Sequence, residues 1–198
     1  MADIQLTING IAYDCIPRQE PVPERVPIAF SQRNPHWAAI RLGVSRYTIG
    51  SAGCAVTAVA MLATLAEPML TPGELTTRLN EIGGFTTGGL LNWNMCADVV
   101  YGLEFVNYHK WRGGPADISR VENALTRGPA VLQVDFKPAT SALDTHFVLG
   151  LAMTEDYDDI LVLDPWSGNR GTLLGFYSQP GWDLARAVYA LAEFRVTR

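Results

Sequence analysis

The chain has no uninterrupted apolar run approaching the roughly 20 residues that a membrane-spanning helix needs. It also lacks a cluster of basic residues interleaved with aromatics. With a net charge of −5, this argues against binding to a phosphate backbone. The opening MADIQLTINGIAYD has no basic-then-apolar layout of a secretory signal, so the expectation is a cytoplasmic protein, or one carried in a virion or released by lysis. Cysteine is scarce. Cys15, Cys54 and Cys96 are widely spaced, form no C-x-x-C pair and cannot all pair with one another. Neither a disulfide framework nor a zinc cage is indicated, and no cofactor or metal is expected. No internal repeat is present.

What is present is a core-forming composition: 198 residues, 48% apolar and 18% charged, enough for one globular domain. Residues 4–14, IQLTINGIAYD, alternate around Asn9-Gly10 as a hairpin does. Residues 16–27, IPRQEPVPERVP, hold four prolines and read as a strap. The expected division is therefore a hairpin and strap over residues 1–27, followed by a main domain over 28–198.

Residues 54–66, CAVTAVAMLATLA, are apolar on nearly every face and predict a helix buried all round. Residues 71–84, TPGELTTRLNEIGG, carry a capping box at Thr71 and Glu74, Pro72 at the first helical position and a glycine stop. Residues 91–102 and 119–128 predict two further helices, each ended by glycine. Four short apolar stretches, 130–136, 146–153, 159–166 and 171–178, then predict neighbouring strands of an antiparallel sheet. Residues 182–196 add a short helix and a final strand. Helices followed by sheet indicate the α+β class.

GSAGCAVTAVAM, residues 50–61, raises the chemical question: small residues deliver Cys54 to the start of the apolar helix. A free thiol's pKa of about 8.5 falls at a helix N-terminus and beside an imidazolium. A buried free cysteine is equally a common packing residue. Of three histidines, His36 and His109 sit among polar and aromatic neighbours, whereas His146 opens an apolar strand. Asp164 closes the next one, before Pro165. Folding the two strands about Glu155 sets His146 opposite Asp164, on one face and about 5 Å apart, with room for a slip of two or three positions. Asp164 has an alternative role in capping the turn into PWSG. Gln32 is a candidate side-chain donor for an oxyanion, beside the backbone N–H of Cys54. Cys96 reads as a packing residue, and the acidic TEDYDD lacks the ligand spacing of a calcium loop.

The order FSQRNPHW, SAGCAVTAVAM, THFVLGLAM, ILVLDPWSG resembles a papain-fold cysteine peptidase. Within that fold it is similar to the bacteriocin leader (double-glycine) peptidase-like family, in its stand-alone, non-transporter form. TPGELTTRLNEIGGF, GGLLNWN and ENALTRGPAVLQVDF fit the same pattern from residue 28 onward. The resemblance implies Cys54 as nucleophile, His146 as general base and acid, Asp164 as its orienting partner and Gln32 in the oxyanion hole. It implies hydrolysis of a peptide or protein substrate through a thioester, without cofactor. Relatives often have glycine after the cysteine, where this chain has Ala55. Two other readings keep the fold: a peptidoglycan-directed amidase or endopeptidase, and a phage or virion structural module that meets an assembly partner through residues 1–27.

Overall fold

In the computed structural model, the described residues are 5–8, 11–14, 26–111, 114–140 and 142–197. Strands β1 (Gln5–Ile8) and β2 (Ile11–Asp14) pair antiparallel with Ile8 opposite Ile11, and the expected Asn9-Gly10 turn lies outside the described residues. The proline-rich strap lies outside the described residues up to position 25.

The helical half begins with a single turn, α1 (Ile49–Ala52), joined through Gly53 to α2 (Cys54–Ala63). Every residue of α2 but Ala55 is buried, as its uniformly apolar sequence requires. The helix stops three residues earlier than expected. The Thr64 hydroxyl turns back onto the Met61 carbonyl and accepts the Ile28 N–H, fastening the start of the main domain to the helix end. Helix α3 (Pro72–Ile82) has the expected capping box: Glu74 N–H donates to Thr71 Oγ1, Glu74 Oε2 accepts from Thr71 N–H, and Gly83 closes it at φ +75°. Helix α4 (Met95–Val99) is shorter than expected. The residues before it are taken up in backbone pairing with Phe85 and Gly84 instead.

The sheet comprises β3 (Leu103–Lys110), β4 (Ala130–Asp135), β5 (Thr145–Met153), β6 (Ile160–Leu163), β7 (Arg170–Thr172) and β8 (Ala190–Val196). Its order is β3-β8-β4-β5-β6-β7, with every pair antiparallel. Helix α5 (Ile118–Leu125) precedes β4, and α6 (Leu173–Tyr177) and α7 (Leu184–Ala187) precede β8.

Alternate residues of the sheet supply two cores. Val131, Leu149, Leu163 and Ala192 pack with α2, α3 and α4, while Leu132, Val148, Val162 and Leu191 pack with α5, α6 and α7. Strand β4 is buried at all its positions because helices cover both faces, which explains the apolar residues on both faces of AVLQVD; Gln133 and Asp135 are buried with them.

Two elements depart from the sequence reading. Strand β3 was not anticipated; its polar Glu104, Asn107, His109 and Lys110 dilute the apolar signal. Residues 171–178 form not one strand but the end of β7 followed by α6. Thr172 acts as the N-cap, accepting from Gly175 N–H, and buries Leu173 and Tyr177 four positions apart on one helix face.

Gly53 is fixed by packing. A Cβ there would lie 2.5 Å from both Cα and O of Ile49. Gly53→Ala is therefore expected to force α1 and α2 apart, at a cost of about 1–3 kcal/mol. A lowered urea midpoint checks this. Gly114→Ala is the control with unchanged midpoint, since nothing lies within 4 Å of its would-be Cβ.

Candidate active site

Three adjoining strands end at one edge of the sheet: β4 at Asp135, β5 at Thr145 and His146, β6 just before Asp164. The N-terminus of α2 faces that edge across a cleft of about 630 Å³. Cys54, His146, Gln32, Trp93, Phe136 and Trp166 are among its lining residues.

The β5–β6 turn is centred nearer Tyr157, which has φ +61°, than Glu155. A bulge between Gly150 and Ala152 then yields Leu149 opposite Leu163. Continuing that register, Asp164 falls opposite Val148 and diagonal to His146, two positions from direct opposition. A slip of two keeps both side chains on the same face, and diagonal neighbours on one face are within reach of long side chains. His146 Nε2 lies 2.9 Å from Asp164 Oδ1, and both side chains are buried.

Asp164 is also the anchor of its own turn. Oδ1 accepts a second bond from Trp166 N–H at 3.0 Å, and Oδ2 accepts from Ser167 N–H at 3.0 Å and Ser167 Oγ at 2.7 Å. Asp164 thus caps the turn into PWSG and at the same time contacts the His146 ring. Burial pushes its pKa up, but the bonds from His146, Ser167 and Trp166 and the His146 charge outweigh it and hold the carboxyl well below the usual carboxylate range.

At His146 burial acts to lower the pKa. The bond to Asp164, the hydrogen bond and charge of Cys54, and the charge of Asp164 outweigh it and raise the value to about 9. With Nε2 turned to Asp164, Nδ1 is the ring nitrogen left to Cys54. The imidazole is caged by Phe136, at 5.0 Å between ring centroids, and Tyr177, at 5.3 Å. Burial, then the Asp164 charge, pushes the Tyr177 hydroxyl above its ordinary pKa and keeps it neutral.

Cys54 is buried at the first position of α2, where the opening N–H groups of the helix have no intrahelical acceptor. Gln32 is also buried. Its backbone N–H donates to Pro165 O at 2.6 Å, and Nε2 donates to Gly50 O at 3.3 Å. That bond uses one of the two amide hydrogens, and Oε1 has no partner among the described residues. Of the four residues singled out by sequence, Gln32, Cys54 and His146 therefore line one cleft, and Asp164 is bonded to the His146 ring.

The remaining candidates do not. His36 is exposed, and His109 packs edge-on against Trp111 at 4.8 Å. Cys96 is fully buried, and burial pushes its thiol up to about 12. Sequence reasoning missed Tyr177, which it placed in a strand, and Ser167. The latter had a signal, because Asp followed by Ser three positions on is a turn that hydrogen-bonds itself.

A family model described as the Peptidase_C39 like family matches residues 28–183. The chain belongs to this family. It is a cysteine peptidase, a hydrolase acting on peptide or protein substrates, and its mixed helix and antiparallel sheet form a papain-type α+β fold. No curated protein matches the chain. Among the described residues no helix is long and apolar enough to cross a membrane.

The buried pair has a pH signature of opposite sign at its two members. His146 stabilises the fold fully below its ordinary pKa of 6.5, and this is lost as pH rises through about 9. Asp164 stabilises above its ordinary value of 3.8, and this is lost as pH falls below it. The difference in urea midpoint between wild type and Asp164→Asn is therefore expected to peak at about pH 4–6.5 and to narrow on either side.

Proposed function

We propose that this peptidase works through a Cys54–His146–Asp164 triad, with Gln32 completing the oxyanion hole. The observation that carries the reading is the buried 2.9 Å His146–Asp164 contact, which leaves the other ring nitrogen to a thiol at a helix N-terminus.

The Cys54 sulfur, its proton passed to His146 Nδ1, attacks the scissile carbonyl. The oxyanion is met by the Cys54 backbone N–H and the free Gln32 amide hydrogen. His146 then gives its proton to the departing amine, leaving a thioester on Cys54. A water, deprotonated by His146, attacks the thioester; the acid product departs and the thiol is restored. Asp164 holds the ring with Nε2–H directed at itself throughout, so that Nδ1 stays on the sulfur.

An epoxide probe is expected to label Cys54 ahead of Cys15 and Cys96, located by peptide mass mapping. Cys54→Ala should lower cleavage of casein or of a peptide library by about 10³-fold or more, and Gln32→Ala should lower kcat by about 10²-fold. Equal labelling of the three thiols, or cleavage that survives Cys54→Ala, overturns the triad. Release of soluble fragments from cell-wall sacculi without casein cleavage would redirect the chemistry to wall peptides.

A further inference from the structure

The cleft has two chemically different ends. At one, Phe85, Leu90, Leu91 and Trp93 form an apolar wall. At the other, Phe136 and Trp166 lie edge to face at 5.2 Å, next to the His146 ring. The departing amine takes its proton from His146, so the segment following the scissile bond leaves over this second end. The acyl segment, still bonded to Cys54, extends toward the apolar wall.

The second end carries the exposed guanidinium of Arg33, lying 4.8 Å from the centroid of the Trp166 ring. Its position is built from both sides. Arg33 follows Gln32, whose N–H is bound to Pro165 O, and Ser31 Oγ donates to Trp166 O at 3.0 Å. Arg33 makes no ion pair among the described residues. The neighbouring cation, Lys137, is occupied by Asp144 at 3.2 Å. Asp164 is bound to His146 and to its own turn. One positive charge without an ion-pair partner among the described residues, held over an aromatic face, therefore marks the leaving-group end.

We propose that Arg33 and Trp166 form a shelf that binds a carboxylate on the segment following the scissile bond, an acidic side chain or the chain-terminal carboxylate. This rests on the triad reading above. The Arg33 side chain is exposed beside the ring, and its paired N–H groups match the two oxygens of a carboxylate. A peptide's ordinary anions are carboxylates, so no other substrate group suits the shelf as well. Because the site is exposed, the preference is modest, about three- to fivefold.

The test takes one peptide cleaved in library profiling and makes four versions differing only after the scissile bond. Two carry Glu or Gln at the second position, and two end there as free acid or amide. Wild type is expected to favour Glu over Gln, or acid over amide, by about three- to fivefold in kcat/KM, and the pair that responds identifies the carboxylate source. Arg33→Met should reduce that ratio to about one, Arg33→Lys should leave an intermediate ratio, and about 0.5 M salt should weaken the wild-type preference. Equal rates in wild type, or a ratio unchanged in Arg33→Met, overturn the proposal. Calorimetric titration of Cys54→Ala with the same peptides separates this proposal from the triad reading. Discrimination together with cleavage that survives Cys54→Ala would sink the triad and sustain the shelf, whereas cleavage abolished by Cys54→Ala with no discrimination in rate or binding would do the reverse.

Discussion

A hydrogen bond between two buried ionisable side chains, His146 and Asp164, sets the geometry of the whole cleft. Burying a carboxylate costs several kcal/mol unless donors replace the lost water. Here each Asp164 oxygen has two donors, drawn from His146, Trp166 and Ser167. Three come from the turn that Asp164 itself begins, so the anion and the turn stabilise each other. The same turn presents Pro165 O to Gln32 and Trp166 O to Ser31. One short loop thereby positions the carboxylate, the buried amide and the aromatic shelf.

The opposing wall is held by packing rather than by polar bonds. Helix α2 is buried along its length, so its start can lie only where the two cores and the Gly53 junction allow. Helices cover both faces of the sheet, leaving the strand ends as the open place for a polar site. Cys54 and His146 thus reach one cleft from rigid elements separated by almost a hundred positions of sequence. Rigid placement of this kind is what proton transfer at a fixed distance demands.

Parity explains why the site was legible before the register was known. Folding β5 onto β6 about Glu155 missed the true turn centre, yet the error near the site was two positions, which leaves His146 and Asp164 on the same face. An error of one would have separated them. The buried α2 and the capped α3 were legible because uniform apolarity and a Thr-Pro-x-Glu start are local signals. Strand β3 was not, because its pairing with β8 is a long-range event and its exposed face carries charge. Tyr177 was misplaced because GTLLGFYS suits a strand until Thr172 is recognised as a cap. Arg33 carries no local signal at all; its stacking depends on a turn more than 130 positions away.

Charge balance within the cleft follows from these placements. Tyr177 stays neutral against His146, so the aromatic cage excludes water without adding a second anion beside Asp164. An imidazolium at His146 and the Asp164 carboxylate cancel, and a thiolate at Cys54 would leave the site with one net negative charge. Such a charge inside an aromatic enclosure needs fixed dipoles in place of solvent, and the first N–H groups of α2 are the dipoles nearest the sulfur. Lys137 is already neutralised by Asp144, which leaves Arg33 as the free positive charge at the rim. In the proposed reaction that free charge lies on the side of the cleft where the leaving group departs, so it acts on the segment that leaves rather than on the acyl group held by Cys54.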